Sequence, residues 1–211
     1  MIRLYEPRDR EAVRQICCDT ADAGEPMESF FPDREVLADL VTRYYTDYEP
    51  SSTWVAEQDG RVIGYLTGCL DTRRFLRVMA WRLVPVTFIK ALSRGTLWHP
   101  QVVKLLSANL SRWLKGGFRR EVSLWSYPAH LHINLQRGHR GQQLGRQLVE
   151  KFFGQVREAG LNGIHVGVSS ENERGRRFFE SVGFVPLTRE ARFRSPDTQR
   201  VACTIIYGKR F

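Results

Sequence analysis

The segment Arg140-Gly141-Gln142-Gln143-Leu144-Gly145-Arg146 lies between an apolar run with strand alternation and a run with helical spacing. A turn at a helix start leaves several backbone N–H groups unpaired. Together with the helix dipole, such groups make a site for a pyrophosphate. Glycine at 141 and 145 lets a ligand or a neighbouring backbone come close, and Arg140 and Arg146 add positive charge for phosphates. An ordinary helix start with solvated arginines has the same composition, and short glycine patterns recur by chance. The segment therefore has to be judged with the elements that position it.

Those elements are consistent with the first reading. After the turn, Leu144, Leu148, Val149, Phe152, Phe153 and Val156 fall on one side of a helix expected from about Gly141 to Ala159 and closed by Gly160. Before it, His130–Gln136 reads as a strand. His130, His132 and Asn134 share one face of that strand, while Leu131, Ile133 and Leu135 share the other. After it, Ile164, Val166 and Val168 alternate as a strand, and Asn172 caps a helix running to Ser181. Two last strands are expected near Phe184–Thr188 and Arg200–Tyr207.

The first part of the chain has the same rhythm. Residues 1–6 alternate as a strand, and their charge sets them apart from a secretion signal. Helices are expected over Arg8–Asp22 and near Asp33–Tyr45, with a loop containing Gly24 and Pro26 between them. Ser52–Glu57 and Arg61–Cys69 read as a hairpin turned by Gln58-Asp59-Gly60. Residues 73–120 break the pattern as two or three helices, separated near Pro85, at Gly95 and at Pro100 and ended by Gly116-Gly117. The order β-α-α-β-β, helical block, β-α-β-α-β-β describes one α/β domain with an insertion in its middle.

The stretch Asn172-Glu173-Arg174-Gly175-Arg176-Arg177-Phe178-Phe179-Glu180-Ser181-Val182-Gly183-Phe184, taken with the turn, resembles the GNAT superfamily of N-acetyltransferases. Arg140 and Gly145 fit the two ends of that family's cofactor signature. Asn172, Gly175, Phe178, Phe179 and Gly183-Phe184 fit its second motif. A narrower run, Tyr127-Pro128-Ala129-His130-Leu131-His132-Ile133-Asn134-Leu135, is similar to the acetyltransferase-like domain of bacterial O-linked N-acetylglucosaminidases and its stand-alone relatives. Asp22-Ala23-Gly24 and Gly68-Cys69-Leu70-Asp71-Thr72-Arg73 share that similarity. Two positions depart from the broad family. Gln143 stands at its middle glycine. Phe179 stands where many members have a tyrosine that protonates the leaving thiolate, and a phenyl ring has no proton to give.

The resemblance implies one domain over 1–211: a GNAT-like mixed central sheet with flanking helices, a V-shaped splay between the two central strands, and the helical insertion at about 73–120. It also implies acetyl-CoA as acetyl donor to an amine, carried by a small molecule or a protein, by direct attack on the thioester. The donor would be held by Ile133, Asn134, Leu135, Arg140, Gly141, Gln142, Gln143, Leu144, Gly145, Arg146, Asn172, Phe178 and Phe179. The backbone N–H of Leu135 would polarise the carbonyl. His132 is the first candidate for general base, because histidine titrates near neutrality; Asp22 and Glu171 follow. A hydrogen-bonded structural role for His132 is the competing reading. A non-catalytic module that binds acetyl-CoA and docks through the insertion is the alternative to an enzyme.

Composition and charge narrow the classes further. Of 211 residues, 42% are hydrophobic and 26% charged, as in a globular protein. Residues 73–120 contain eleven Lys or Arg and no Asp or Glu, which exceeds the whole net charge of +9. With Trp81, Trp98 and Trp113, that segment suits a lid, an anionic partner or a membrane surface, and its aromatics suit a homodimer. No nucleic-acid motif accompanies it. Cys17, Cys18, Cys69 and Cys203 lie at no metal-ligand or redox spacing, so no metal is expected and a reducing cytoplasm is the expected location. Adjacent Cys17 and Cys18 read as small buried thiols on a helix or as a reactive pair.

Overall fold

The computed structural model describes residues 1–114, 122–194 and 201–211. Its elements are β1 (Ile2–Leu4), α1 (Arg10–Thr20), α2 (Arg34–Tyr48), β2 (Thr53–Gln58), β3 (Arg61–Cys69), α3 (Thr72–Val78), α4 (Val84–Ser93), α5 (Pro100–Leu114), β4 (Ala129–Leu135), α6 (Leu144–Glu158), β5 (Gly163–Ser169), α7 (Glu173–Ser181), β6 (Val185–Arg194) and β7 (Val201–Arg210). Seven strands form one mixed sheet in the order β1-β2-β3-β4-β5-β7-β6. The pairings are antiparallel except that of β4 with β5. The expected fold class is thus the observed one. Strand β1 is shorter than its alternation suggested, and β6 and β7 are longer.

Local sequence explains most turns. At the β2–β3 hairpin Asp59 and Gly60 both have positive φ, +50° and +72°, the pair a two-residue hairpin requires. On one sheet face, α6 buries Leu148, Val149, Phe152, Phe153 and Val156 against Ala129, Leu131, Ile164 and Val166. Each such side chain contributes roughly 1.5–3 kcal/mol. On the other face, α1 buries Val13, Ile16 and Cys17 against Val55 and Tyr65. Cys17 and Cys18 are both buried, and burial pushes their thiols up to about 12 and about 11. They remain protonated at neutral pH, which favours the packing role over a reactive pair.

Helix α6 begins at Leu144, three residues later than expected. Gly141 and Gln143 have φ of +85° and +58°, which no right-handed helix accommodates. The helical block also departs from expectation at Pro85. Helix α3 runs through one wide turn, Met79–Leu83, directly into α4, and Pro85 stands in the first turn of α4. A proline there needs no N–H partner, and the widened turn before it displaces the carbonyls its ring would strike. Gly95, at φ +73°, ends α4 as expected, and Pro100 opens α5. The proposed end at Gly116-Gly117, and the side chains of Trp113 and Cys203, lie outside the described residues.

The block is fastened to α2 by charge as well as by packing. Leu83, Thr87 and Ala91 turn inward. Lys90 bonds Asp39 at 2.8 Å and Glu35 at 3.1 Å, and Arg94 bonds Asp33 at 2.7 Å. Asp39 also pairs with the buried Arg14 of α1. The inner side of the block is therefore a packing surface against α2.

Candidate active site

Strands β4 and β5 pair at only two positions, Ala129 with Ile164 and His130 with His165. Beyond them β4 stays with β3 as far as Leu135, and β5 stays with β7 as far as Ser169. The two strands therefore diverge into a V. The N–H of Gln136 donates to Ile63 of β3 at 2.9 Å. Because main-chain groups alternate sides along a strand, the N–H groups of Leu135 and Ile133 point the other way, into the V, where no strand lies opposite them.

The turn at residues 140–146 closes the open end. Gln143 occupies the cap position of α6 in a left-handed conformation, and its side chain makes no cap bond. The first backbone bond of the helix is Gln147 N–H to the Gln143 carbonyl. The N–H groups of Leu144, Gly145 and Arg146 precede it and have no carbonyl of the helix to bond, the condition for an anion site. A side chain at φ +58° costs about 1–2 kcal/mol relative to glycine, which is the physical reason a glycine suits this position. Gly141 at φ +85° has the same backbone requirement and no neighbour within 4 Å of an added Cβ.

Arg140 is placed differently from a simple phosphate ligand. Its Nη2 donates to the Gly24 carbonyl at 3.0 Å and its Nε to the Leu135 carbonyl at 3.2 Å. Burial, then the positive charges of Arg174 and Arg137, lower its pKa. Two further guanidinium groups thus lie near enough to act on Arg140. Neither Arg137 nor Arg174 stands out in the sequence, because no local pattern marks which arginine comes close to Arg140. Arg137 pairs with Glu25. Arg146 reaches the Ser181 carbonyl at 3.1 Å and ties α6 to α7. A cleft of about 310 Å³ between this turn and the 19–26 loop is lined by Asp19, Thr20, Gly24, Pro26, Gln136 and Arg140 among others.

The second motif supplies one wall. A Cβ added at Gly145 would lie 3.1 Å from the Phe178 ring and 3.7 Å from Leu135, so Gly145, Phe178 and Leu135 converge. The glycine is needed there for close packing of the phenyl ring. Asn172 caps α7 by accepting the Gly175 N–H at 2.8 Å. Phe179 is only 5% exposed and packs on Phe178 and Phe184 in the main core.

The strand histidines have unlike surroundings. His130 is buried, with Nδ1 2.8 Å from Thr72 Oγ1 and Nε2 2.8 Å from the Tyr45 hydroxyl. Thr72 donates its own proton to the Pro128 carbonyl at 2.6 Å, so it must accept from Nδ1–H. The network places a proton on Nδ1, and Nε2 lies against the Tyr45 hydroxyl, which burial keeps protonated. His130 thus fills a structural role. His132 is exposed, 5.7 Å from the Tyr45 ring, in the middle of β4. Asn134 donates to the buried Tyr65 hydroxyl at 2.8 Å. Asp22 is exposed in the loop after α1, where it accepts from Ser29 at 2.6 Å. Glu171 is exposed in the turn after β5, its N–H on Ser169 Oγ at 3.3 Å. The three base candidates sit on three elements; the Asp22 loop is drawn to the V by the Arg140–Gly24 bond. Among the described residues there is no group of three metal ligands.

The model of the acetyltransferase (GNAT) family matches residues 120–184, the portion that builds β4, the turn, α6, β5 and α7. Among solved structures the chain is similar to SsHAT, at 28% identity and TM-score 0.76 over 100% of this chain and 97% of that one. It is also similar to yncA from Salmonella typhimurium, solved with its cofactor acetyl-CoA, at 14% identity and TM-score 0.59 over 100% and 92%. Naa20 from Chaetomium thermophilum, in complex with a bisubstrate analogue, matches at 18% identity and TM-score 0.60 over 100% and 86%. The last two likenesses are of fold alone. The chain has the fold of the GNAT acetyltransferases and carries that family's sequence signature over residues 120–184.

Proposed function

We propose that this protein is an N-acetyltransferase that takes its acetyl group from acetyl-CoA and passes it to an amine. The observation that carries the reading is the V between β4 and β5, with the uncapped start of α6 at its mouth. A pyrophosphate suits the free N–H groups of that helix start, and the positive charges of Arg140 and Arg174 support it. A pantetheine arm suits the V itself, where the main chain of Ile133 and Leu135 can pair with its amides. The donor supplies an activated carbonyl; the protein orients it and removes a proton from the attacking amine. The Leu135 N–H is the group we assign to polarise that carbonyl.

His132 is our first choice for the base, because it lies exposed on β4 and histidine titrates near neutrality. Asp22 and Glu171 remain second and third. Phe179 offers no proton and is packed in the core, so in this reading water protonates the thiolate. The acceptor enters from the 19–26 loop and the helical block. The similarity of Tyr127–Leu135 and Gly68–Arg73 to the acetyltransferase-like domain of O-linked N-acetylglucosaminidases remains a reading from those residues.

Calorimetric titration with acetyl-CoA, followed by an amine screen for CoA release, tests the proposal. Micromolar binding and release with some amine support it. A well-folded protein that binds neither acetyl-CoA nor CoA overturns it. For the base, His132→Ala should flatten the neutral limb of the pH–rate profile, and an unchanged profile moves the role to Asp22 or Glu171.

A further inference from the structure

The continuous helix formed by α3 and α4 has an inner side that packs on α2 and an outer side that packs on nothing described. Trp81, Val84, Phe88, Ile89 and Leu92 follow helical spacing along that outer side and are between 45% and 83% exposed. Trp98, 74% exposed, stands just beyond the end of α4. A helix that is apolar on both sides belongs in a core, yet this one presents its second face to water.

The charge around the stripe indicates what covers it. From Thr72 to Ser107 the chain has no acidic residue. Lys90 and Arg94 are spent on Asp39, Glu35 and Asp33. Arg77 and Arg82 are exposed and make no ion pair among the described residues, and Arg74 is exposed one turn before Arg77. A second copy of this chain would bring like charge against like charge, so a symmetric pairing through this face is disfavoured. Tryptophans at both ends of an aliphatic stripe, with arginines at its margin, match the boundary between lipid headgroups and acyl chains. No described helix is long and apolar enough to cross a membrane, so the helix would lie in the surface.

We propose that the outer face of α3–α4 docks the protein on an anionic lipid bilayer, with Trp81, Phe88, Ile89 and Leu92 entering the headgroup region and Arg77 and Arg82 on lipid phosphates. The helix is fixed to α2 and follows directly from β3 and Thr72, whose hydroxyl takes the His130 ring. Docking would therefore set the acceptor side of the V at a defined orientation to the membrane.

The test is cosedimentation of the full chain with vesicles of phosphatidylcholine alone and with 30% phosphatidylglycerol (roughly a physiological anionic fraction), at low and high salt. The expected result is binding to the anionic vesicles only, weakened by salt, with a blue shift of tryptophan emission. Arg77→Gln with Arg82→Gln should lower the affinity on the order of tenfold. Phe88→Glu with Ile89→Glu should abolish it while the thermal melt and acetyl-CoA binding stay unchanged. Absence of binding to anionic vesicles overturns the proposal, as does equal binding to neutral ones. A concentration-dependent dimer that Phe88→Glu dissolves, without vesicle binding, assigns the face to a second copy instead. Capture only by an acidic protein partner would likewise overturn it. None of these outcomes bears on the acetyl-CoA site, which calorimetry reads separately.

Discussion

Arg140 Nη2 donates to the Gly24 carbonyl at 3.0 Å, across 116 positions of sequence. The same guanidinium holds the Leu135 carbonyl at the end of β4. One side chain thus joins the turn before α6, the open end of the V and the loop after α1. Charged hydrogen bonds of this kind contribute about 1.5–3 kcal/mol each. Arg140→Ala should destabilise the protein by about 2 kcal/mol and raise the KM of both substrates, with a larger effect than Arg146→Ala. Denaturant melts and steady-state kinetics measure the two parts. Equal effects of the two variants would mean that Arg140 is only a solvated cation.

Gly145 faces the Phe178 ring, and a methyl carbon there would sit 3.1 Å from it. Gly145→Glu therefore tests packing as much as charge at the proposed pyrophosphate site. A cleaner pair is Gly145→Ala alone and with Phe178→Leu. The single change should weaken acetyl-CoA binding about tenfold through displacement of the ring. The double variant should recover most of that loss. Failure of Phe178→Leu to restore affinity would place the damage in the helix N-terminus itself.

Phe179 lies in the core between Phe178 and Phe184. A hydroxyl added there must find a partner or lose its hydration, at a cost of about 1–3 kcal/mol. Phe179→Tyr is expected to lower the melting temperature without raising kcat. An increase in kcat would show that the hydroxyl reaches the V and that thiolate protonation limits the native enzyme.

Asp39 gives the fold a defined acid sensitivity. Burial opposes its charge, but Lys90 and the buried Arg14 outweigh burial and hold its carboxyl below the usual carboxylate range. A depressed folded pKa means stability that is fully present above the unfolded value near 3.9. That stability is lost as pH falls through the lower folded value. Urea melts from pH 7 to pH 2 should therefore show a steep acid loss that Asp39→Asn reduces. The variant should also be about 1.5–3 kcal/mol less stable at pH 7, because the buried Arg14 loses one of its charged hydrogen bonds and keeps Glu35 at 2.7 Å. An unchanged acid limb in Asp39→Asn would assign the loss to Asp9, Asp33 and Asp47, whose carboxyls are also held low.

The sequence by itself determined what local spacing can encode. The alternation of Ile164, Val166 and Val168, the apolar side of α6 and the Asp59-Gly60 hairpin fixed the order of elements. The residues from Arg140 to Arg146 and from Asn172 to Phe184 marked the turn before α6 and the capped helix α7. Each of these depends on residues within one or two turns of one another, where backbone geometry is set by near neighbours. Tertiary structure decided the rest. Only the fold separates His130 from His132, because Tyr45 and Thr72 reach one ring from 85 and 58 positions away. Only the fold turns Arg140 toward Gly24, and only the left-handed turn at Gln143 moves the start of α6 to Leu144. The block at 73–120 reads as uniformly basic in sequence, yet Lys90 and Arg94 pair with Asp39 and Asp33, while Arg77 and Arg82 make no ion pair among the described residues. Partners chosen by long-range packing leave no periodic trace, so a sequence can name the charges without saying which of them the core has already used.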